Sequence, residues 1–490
     1  MIIPMIHCYR QGGYNIVLDV NSGAVHSVDD IIFDILRDCN TPDDIERLKA
    51  ETWGGPGHEI PDRGLDKYGA DELSEALDEI GQLIGMGTLF SGDVFSDDNF
   101  SDKLSGPSDE NIVKALCLHV AHDCNLRCRY CFAGGGKYHG ERGLMSPEVG
   151  AAAIDFLLAA SGNRRRLEVD FFGGEPLLNF GAVRTITEYG KARAASLGKE
   201  IRFTLTTNGV LLDGEKERFI NSEMHNVVLS LDGRRAVNDR MRSNRAGAGS
   251  YDMIKDKFLR LAAAREGSGN KNKSQNKSYY VRGTFTRENL DFGSDVMHLA
   301  QLGFRHVSVE PVVSPEGADY AILEQDLPRV FAEYEALAQK LLELRGTEDE
   351  FDFFHFMIDL EGGPCVYKRA AGCGAGGEYL AVAPDGALYP CHQFVGRDDF
   401  VMGDVFGGVT DLKLRAQFRS ANVYTKPACL ACFAKFYCSG GCAASSYFIN
   451  GDILKPYETG CEMQRKRTEC AIMLKVADMI NAGEGGLRPL

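Results

Sequence analysis

At 490 residues, the chain is too long for one ordinary core, and its length predicts about three domains. Hydrophobic residues make up 44% and charged residues 25% of the sequence, which excludes a chain that is disordered or collagen-like as a whole. A net charge of −16, from 54 basic and 70 acidic residues, argues against a broad surface for nucleic acid or anionic membrane.

The cysteine content points to metal or redox sites. No segment approaches the roughly 18 apolar residues of a membrane span, and the N-terminus MIIPMIHCYRQGGY lacks a signal-peptide pattern. We therefore expect a cytoplasmic protein that binds neither membrane nor nucleic acid. In that compartment, 15 cysteines are not expected to form a disulfide framework, because cytosolic thiols are kept reduced. Most of them cluster within residues 124–131 and 365–470, as ligand sets do.

The first segment predicts a small α+β module. Apolar residues alternate from Ile16 to Val20, a turn follows at 21–23, and a second short strand ends at Val28, which together predict a hairpin. Residues 71–87 have the apolar spacing of a helix. Residues 91–110 are acidic and turn-rich like a linker, so this domain is predicted to cover residues 1–105.

Six β-rich runs alternate with helical patterns over the next predicted domain, residues 106–315. The runs are ALCLHVA (115–121), LEVDFFG (167–173), IRFTLTT (201–207), NVVLSLD (226–232), YYVRGTFT (279–286) and HVSVEPV (306–312). Six βα units predict an α/β fold with a parallel sheet that can curl into a partial (β/α)6 barrel. The polar tract 266–278 is predicted to be a loop.

Two further regions follow the barrel. Residues 316–362 contain the helical pattern LPRVFAEYEALAQKLLELRG, which predicts a helical bridge. Residues 363–490 are rich in cysteine, glycine and turn signals and poor in long periodic segments. We therefore expect metal, rather than a large apolar core, to hold the last region together.

Three cysteines lie on one short loop directly after the first barrel strand, at Cys124, Cys128 and Cys131. Three thiolates can hold three corners of a cubane iron–sulfur cluster and leave the fourth iron open to a non-protein ligand. The alternative is a zinc site completed by His119 or His122. Because active sites of parallel barrels lie at the carboxyl ends of strands, the position of this loop favours the cluster.

This C-x3-C-x-aromatic-C motif, with Tyr130 as its aromatic residue, resembles the radical S-adenosylmethionine (SAM) enzymes over roughly residues 112–315. The resemblance implies a [4Fe–4S] cluster on the three cysteines, which would be the catalytic centre, with SAM bound at its open iron. The segment 173–176 is similar to the family's GGEP motif. There Gly173 and Gly174 would let the backbone approach the ligand, and Glu175 would accept from the methionyl ammonium.

Polar residues at the ends of later strands complete the SAM site that the resemblance implies. They are Thr207 and Asn208 after the third strand, Ser230 and Asp232 after the fourth, Arg242 further on, and Glu310 in the sixth strand. The segment NDRMR resembles the family's HDxxR motif, with Arg242 as the partner of the SAM carboxylate. Asn238 stands where a histidine is frequent, which leaves its role open. The alternative for Arg242 is a surface cation.

The C-terminal cysteines resemble the SPASM domain, which carries two auxiliary [4Fe–4S] clusters. By this resemblance Cys373, Cys391 and Cys442 bind the first auxiliary cluster, and Cys429, Cys432, Cys438 and Cys461 bind the second. Cys365 is the natural fourth ligand of the first cluster, unless that iron stays open for a substrate thiolate. Three clusters are then expected in all, and two zinc ions are the alternative. Cys8, Cys39, Cys117 and Cys470 are interpreted as structural thiols.

The N-terminal module resembles the winged-helix-like domain of ribosomal-peptide maturases, which adds a leader peptide to a sheet edge. A dimerisation or capping domain is the alternative. The segments GYNIVLDVNSGAVHSVDD, YHGERGLMS, LEVDFFGGEPLLNF and GPCVYKRAAGCGAGGEYLAV together resemble the SCIFF maturases. Those enzymes form thioether crosslinks in small precursor peptides that carry six cysteines.

The resemblance implies a reaction and its partners. An external one-electron reductant such as flavodoxin or ferredoxin would reduce the first cluster, and SAM cleavage would give a 5′-deoxyadenosyl radical. Hydrogen abstraction from a cysteine-rich precursor peptide, coupling to a cysteine sulfur, and electron transfer to an auxiliary cluster would follow. The alternatives are sulfatase-type maturation, a carbon–carbon crosslink, and a non-catalytic electron carrier.

Overall fold

The computed structural model describes residues 5–53, 64–93, 112–267, 277–314, 317–360 and 366–483. Most of the predicted linker, most of the polar tract and Cys365 lie outside these ranges. Within them, no helix is both long enough and apolar enough to cross a membrane.

The described strands form two sheets. The first contains β1 (Ile6–Gln11), β2 (Tyr14–Asp19) and β3 (Val25–Val28). The second contains β4 (Ala115–Ala121), β5 (Arg166–Gly173), β6 (Glu200–Thr207), β7 (Asn226–Ser230), β8 (Ser278–Phe285), β9 (His306–Pro311), β10 (Asp352–Phe353), β11 (Tyr379–Val382), β12 (Ala387–Tyr389), β13 (Gly403–Asp404) and β14 (Gly408–Val409).

Helices connect and cover these strands. They are α1 (Asp30–Arg37), α2 (Pro42–Trp53), α3 (Ala70–Gly85), α4 (Pro147–Ala160), α5 (Phe180–Ser196), α6 (Gly214–Glu223), α7 (Arg235–Met241), α8 (Tyr251–Gly267), α9 (Phe292–Gln301), α10 (Leu327–Leu344), α11 (Val366–Ala371), α12 (Leu412–Ser420), α13 (Pro427–Leu430), α14 (Lys435–Cys438), α15 (Ala443–Asn450) and α16 (Glu458–Asn481). Short 3-10 turns lie at Pro176–Asn179, Arg287–Asn289, Glu324–Asp326, Phe354–Phe356 and Asp398–Phe400.

The N-terminal module has one strand more than the sequence predicted. β1 precedes the expected hairpin and pairs antiparallel with β2. The turn between them is Gly12-Gly13, where both residues have positive φ values of 61° and 85°. A two-residue turn with that geometry joins antiparallel strands and favours glycine. The sheet order β1-β2-β3 leaves β3 as an edge strand among the described residues.

The first sheet lies between its own helices and the rest of the protein. On β2, Val17 packs in the apolar cluster of α1, α2 and α3. Its neighbours Ile16 and Leu18 point to the opposite face, where they join the large core shared with the barrel and the C-terminal region. Successive residues of a strand face opposite sides, so β2 connects two cores.

The second sheet confirms the predicted six βα units. Strands β4 to β9 are adjacent in chain order and all parallel, with helices between most of them. The sheet also continues past β4, because β11 pairs parallel with it and β12 to β14 extend the sheet antiparallel. The sequence did not predict this continuation into the C-terminal region.

The expectation of few long elements in the C-terminal region is wrong for its end. Helix α16 has 24 residues and packs along α10 and β1. Seven of the residues from Cys470 to Ala477 are buried, so its apolar residues do not lie on a single face. Because a helix buried on several sides lacks the one-sided apolar stripe of a surface helix, its sequence gave no clear periodic signal.

The N-terminal sheet is docked on the C-terminal region by specific contacts. His7 Nε2 lies 2.9 Å from Glu469 Oε1, and the His7 ring stacks on Phe433 with 3.6 Å between ring centroids. Nearby, the buried Lys435 ammonium lies 3.1 Å from the Asp93 carboxylate. The module is therefore held against the loops that carry Cys432 and Cys438.

Candidate functional site

The loop after β4 carries the three cysteines of the first set and is held by one arginine. The Arg127 guanidinium donates to the backbone oxygens of Cys124, Leu126 and Gly135 at 3.0, 2.8 and 3.2 Å. These carbonyls would otherwise need water or other donors. Arg127 therefore fixes the backbone on which the thiols are placed.

Two glycines at the end of β5 allow that strand to touch the cysteine loop. A Cβ on Gly173 would lie 2.4 Å from the Ala121 oxygen, and a Cβ on Gly174 would lie 2.1 Å from the Asp123 oxygen. The backbone of Gly173 also has a φ of 121°, which L side chains rarely adopt. The two glycines therefore permit backbone contact with the cysteine loop, whereas the sequence predicted that they make room for the ligand.

The three thiols face a common cavity of about 150 Å³, here called the cysteine-loop cavity. Its wall includes most of the residues that the sequence pointed to. They are Cys124, Cys128, Tyr130, Cys131, Gly173, Gly174, Glu175, Thr207, Asn208, Ser230 and Arg242. Asp232 and Glu310 do not line this cavity.

Tyr130, Asp232 and Arg242 form one buried polar group beside the thiols. The Tyr130 hydroxyl donates to both carboxylate oxygens of Asp232, at 2.8 and 2.7 Å, and accepts from Arg242 Nη1 at 2.8 Å. Burial raises the pKa of Asp232, and the Arg242 cation opposes that rise. Arg242 is only 8% exposed, so the alternative of a surface cation is wrong. Asp232 lies behind Tyr130 and Arg242, where it orients both.

Glu175 is fully buried, and its carboxylate accepts hydrogen bonds from residues at the ends of β5 and β6. Its Oε1 accepts from the Leu177 backbone N–H at 3.0 Å and the Thr207 hydroxyl at 2.7 Å, while its Oε2 accepts from the Asn208 backbone N–H at 2.8 Å. Asn208 Nδ2 in turn lies 3.6 Å from Cys124 Sγ. Burial raises the pKa of Glu175, and these hydrogen bonds oppose the rise.

Asn238, which replaces a frequent histidine, is buried in the support of this group. Its Nδ2 donates to Ser250 Oγ at 3.1 Å, and its Oδ1 accepts from the Asp232 backbone N–H at 3.4 Å. The Ser250 hydroxyl donates to the Arg242 backbone oxygen at 2.7 Å. Asn238 therefore links the backbones of Asp232 and Arg242.

A larger cavity of about 700 Å³ occupies the barrel interior, here called the lumen cavity. It shares Tyr130, Ser230 and Arg242 with the cysteine-loop cavity, so the two adjoin. Pockets of this size are typical of sites for small molecules. The thiols therefore open towards a space large enough for SAM and part of a substrate.

Groups outside the predicted site also line the lumen cavity. Tyr379 of β11 hydrogen-bonds Cys117, and its hydroxyl lies 3.1 Å from His392 Nδ1. Cys117, interpreted as a structural thiol, is buried in the core and also lines this cavity. Glu310 pairs with Arg282 at the cavity wall. Burial opposes ionisation there, but the Arg282 cation lowers the pKa of Glu310.

Asp170, which also lines the lumen cavity, gives a pH-dependent prediction. Burial raises the pKa of Asp170 to about 6, from an ordinary aspartate value of 3.8. A raised folded-state pKa stabilises the fold below the unfolded-state pKa, and this contribution is lost as the pH rises through the folded pKa. We therefore expect Asp170→Asn to gain stability over wild type by about 1 kcal/mol between about pH 5 and about pH 7.5. Urea unfolding at several pH values measures this change.

The matched control is Asp256→Asn, because the Asp256 side chain is 72% exposed. Its difference from wild type is expected to stay constant within about 0.5 kcal/mol. An equally constant difference for Asp170→Asn would contradict the raised pKa.

The histidines of the zinc alternative face one another. His119 Nδ1 lies 3.3 Å from His122 Nε2, and both rings contact Tyr138. Among the residues that the structure describes, no three His, Cys, Asp or Glu side chains surround a point where one metal ion would contact all of them. The described side chains therefore provide no preformed zinc site.

The C-terminal thiols fall into two spatial groups. In the first, the neighbouring Cys442 and Cys373 act with burial to raise the pKa of Cys391. Cys373 follows α11, Cys391 follows β12 and Cys442 directly precedes α15, so the ends of three separate elements meet there. Cys365 lies outside the described residues.

The second group joins α13, α14 and the first turn of α16. Burial raises the pKa of Cys461 to about 12, with Cys438 as the next cause and Cys429 also contributing. Arg465 Nη1 lies 4.0 Å from Cys432 Sγ. These four thiols offer a soft donor set for a metal, and Arg465 would compensate part of the negative charge of the thiolates that metal binding creates.

The residues present fit a three-thiolate cluster with a small polar ligand. Three cysteines line one cavity, and its described lining contains no fourth cysteine and no histidine, which would leave one iron of a cubane cluster open. Arg242 Nε is buried and has no hydrogen-bond partner within the described ranges. A buried guanidinium donor without a partner suits a carboxylate ligand.

Sequence reasoning missed several residues of this region. Arg127 and Tyr138 hold the cysteine loop, and Arg282, Tyr379 and His392 line the lumen cavity. Strand periodicity would have indicated Arg282, which alternates with apolar residues on β8. Tyr379 and His392 reach the barrel only because β11 pairs with β4, and no local pattern predicts that.

Comparison with known proteins identifies the central domain. Residues 118–266 match the family model of the radical SAM superfamily. This segment is less than half of the chain and contains Cys124, Cys128, Cys131, Glu175 and Arg242 among the predicted site residues. It ends before Glu310 and the C-terminal cysteines.

Two curated relatives cover most of the chain. The radical SAM cyclopropyl synthase TigE of Paramaledivibacter caminithermalis is 22% identical over 372 residues, which is 72% of each chain. The serine-type anaerobic sulfatase-maturating enzyme of Klebsiella aerogenes is 24% identical over 354 residues, which covers 67% of this chain and 79% of that enzyme.

A solved structure, native anSMEcpe with bound AdoMet, shares the fold. It is 18% identical, covers 74% of this chain and 99% of its own, and has a TM-score of 0.60. The expected α/β fold with a radical SAM barrel is confirmed.

Proposed function

From the radical SAM domain that this chain contains, we propose that it is an enzyme that installs thioether crosslinks in a ribosomally made, cysteine-rich precursor peptide. Each crosslink would join a cysteine sulfur to a carbon of the same peptide. The observation that carries the proposal is the placement of three thiols beside a barrel cavity, with two more thiol groups in the C-terminal region.

The cysteine-loop cavity would hold the cofactors. Cys124, Cys128 and Cys131 would bind a [4Fe–4S] cluster, and SAM would lie against Glu175, Asn208, Ser230 and Arg242 or their neighbours. When bound and reduced by an external donor such as flavodoxin or ferredoxin, this pair supplies a 5′-deoxyadenosyl radical that can take hydrogen from an unactivated carbon.

The protein's own groups would orient SAM and keep water away from it. Arg242 would pair with the SAM carboxylate, since its Nε lacks a protein partner in the described part of the chain. Asp232 and Tyr130 would hold the guanidinium in place. Phe132 and Phe172 line both adjoining cavities, and apolar walls exclude water that would quench a reactive species.

The C-terminal thiol groups would bind two auxiliary clusters that accept electrons. Cys373, Cys391 and Cys442, with Cys365 as a fourth ligand, would hold the first cluster, and Cys429, Cys432, Cys438 and Cys461 the second. Each thioether removes one hydrogen atom from carbon, one proton from the thiol and one electron. Burial lowers the pKa of Lys426, and thiols of both groups oppose this decrease. The Lys426 ammonium therefore lies near both groups.

The edge strand β3 would bind the leader part of the precursor peptide. It pairs with β2 on one side only, within the described residues. An extended peptide can add to such an edge through backbone hydrogen bonds. The opposite edge strand, β1, is covered by α16 through contacts such as Tyr9 to Glu469.

An anaerobic assay tests the proposal. The protein is reconstituted with iron and sulfide and incubated with SAM, a strong reductant and candidate six-cysteine peptides. We expect deoxyadenosine and a peptide that has lost two hydrogens for each crosslink, with one thiol fewer available to alkylation each time. Loss of two hydrogens with every thiol still alkylated would indicate a carbon–carbon crosslink instead. Absence of deoxyadenosine at full iron content would refute the proposal that the protein is a radical SAM enzyme.

Sulfatase-type maturation is a second candidate, favoured by the similarity to the Klebsiella enzyme over 67% of this chain. It predicts modification of a single cysteine or serine without a leader peptide. An excess of isolated leader peptide is therefore expected to inhibit thioether formation by competition and to leave sulfatase-type activity unchanged.

Replacement of Cys438 separates SAM chemistry from crosslinking. Because Cys438 lies in the second thiol group and does not line the cysteine-loop cavity, Cys438→Ala is expected to retain SAM binding. Crosslinked peptide is expected to fall at least about tenfold, since an electron acceptor is lost. Mass spectrometry of the peptide and equilibrium binding of SAM measure the two effects. Unchanged crosslinking would exclude a role for the second auxiliary cluster.

A further inference from the structure

A third cavity, of about 780 Å³, lies outside the barrel and is here called the hairpin cavity. Its walls come from four separate parts of the chain. They are the β2–β3 turn (Val20, Asn21, Ser22, Gly23), the segment after β10 (Phe354, Met357, Ile358, Asp359), and the C-terminal residues Lys368, Arg369, Gly372, Cys373, Phe436, Tyr437, Cys438, Ser439, Gly441 and Cys442, with Glu310 of β9.

The hairpin cavity meets the lumen cavity at one residue. Glu310 lines both of them, and it is held there by its ion pair with Arg282. Cys373 and Cys442, two exposed thiols of the first C-terminal group, also line the hairpin cavity. A chain that lies in this cavity would therefore reach both the lumen and those thiols.

The cavity presents apolar side chains that lack an apolar cover. Met357 is 53% exposed and Phe354 is 47% exposed, and both face this space. Ile358 and Phe436 add further apolar surface. Large apolar side chains gathered in one concave site are typical of a binding surface.

The strand directions in the N-terminal sheet determine which end of a peptide bound along β3 lies beside this cavity. β2 and β3 are antiparallel, and a peptide that continues this pattern on the free edge runs antiparallel to β3. Its carboxyl end then lies beside Val25, at the start of β3. The turn at Asn21–Gly23 directly precedes that residue and lines the hairpin cavity.

We propose that the hairpin cavity binds the precursor peptide segment that follows the leader, in an extended form and through uncharged, largely apolar side chains. The proposal rests on the proposed function for the leader at β3 and for chemistry in the lumen. The segment would pass from the β2–β3 turn, across Met357 and Phe354, to Glu310 at the lumen. There its cysteine thiols would lie next to Cys373 and Cys442.

Photo-crosslinking tests this route without catalysis. The photoreactive residue benzoylphenylalanine is placed at position 357 of the full-length protein, and a six-cysteine precursor peptide is the probe. We expect crosslinks to the segment after the leader and none to the leader itself. The control places the same residue at Leu412, which is 58% exposed at the start of α12 and does not line the cavity. Crosslinks of equal yield at both positions, or to the leader alone, would overturn the proposal.

A charge substitution gives a second, independent measurement. Met357→Glu places a carboxylate where apolar side chains would bind. It is expected to lower kcat/KM for the full peptide at least about tenfold and to leave the Kd of the isolated leader unchanged. SAM binding is expected to remain at the wild-type level. Leu412→Glu is the control and is expected to alter none of these quantities.

The outcomes separate this proposal from the proposed function. If the wild-type protein forms no deoxyadenosine and no thioether, the proposed function is refuted. Photo-crosslinks at position 357 still report peptide binding in that case. If wild type is active and Met357→Glu retains full kcat/KM, the route through the hairpin cavity is refuted.

Discussion

Replacement of Cys128 by alanine is expected to abolish deoxyadenosine formation, with a loss of at least about 10³-fold, or about 4 kcal/mol of barrier. Cys128 lines the cysteine-loop cavity together with Cys124 and Cys131. A cluster bound by three thiolates has no spare protein ligand, and His119 and His122 face each other and Tyr138. Deoxyadenosine by chromatography and iron content by colorimetry measure the effect.

A matched cysteine variant excludes a general effect of thiol removal. Cys8 lies on β1 in the N-terminal sheet, and burial raises the pKa of its thiol to about 12. Cys8 lines neither the cysteine-loop cavity nor the lumen cavity, so Cys8→Ala is expected to keep the wild-type iron content and activity. Activity retained by Cys128→Ala would refute the assignment of the first cluster.

The second large effect is expected at the buried pair of Asp232 and Arg242. Their charged atoms lie 3.7 Å apart, with side chains 0% and 10% exposed. Asp232→Asn keeps the shape but leaves the Arg242 cation without its carboxylate. Removal of one partner from a buried pair costs about 3–5 kcal/mol. We expect a loss of that order in the free energy of unfolding, measured by urea denaturation, together with weaker SAM binding because Arg242 is no longer oriented.

Two further variants determine whether the loss comes from an unpaired charge. The double variant Asp232→Leu/Arg242→Met removes both charges and is expected to recover most of the stability but not SAM binding. Asp252→Asn removes one partner of the exposed pair with Arg235, whose side chains are 58% and 62% exposed. It is expected to change stability by at most about 1 kcal/mol. Equal losses for the exposed and buried pairs would contradict this account.

Local patterns were sufficient for the barrel strands and for most residues of the cysteine-loop cavity. Strand β4 was predicted with its observed bounds, and the other five barrel strands differ by one or two residues. Cys128, Glu175 and Asn208 line the expected cavity, because each follows a strand of a parallel sheet and those strand ends lie together. The sequence also indicated Asp232 as a site residue, but it did not predict that Asp232 lies behind Tyr130.

Short stretches of the amino-acid sequence were enough to predict the α/β class, the six βα units and the residue types at the thiol sites, because strand alternation, helix spacing and cysteine spacing are local in the chain. Long-range packing establishes that β11 extends the barrel sheet, that α16 supports the N-terminal strands, and that the β2–β3 turn lines a cavity with Cys373 and Cys442. These contacts join residues hundreds of positions apart. They depend on which buried surfaces pack together, a property that no window of sequence contains.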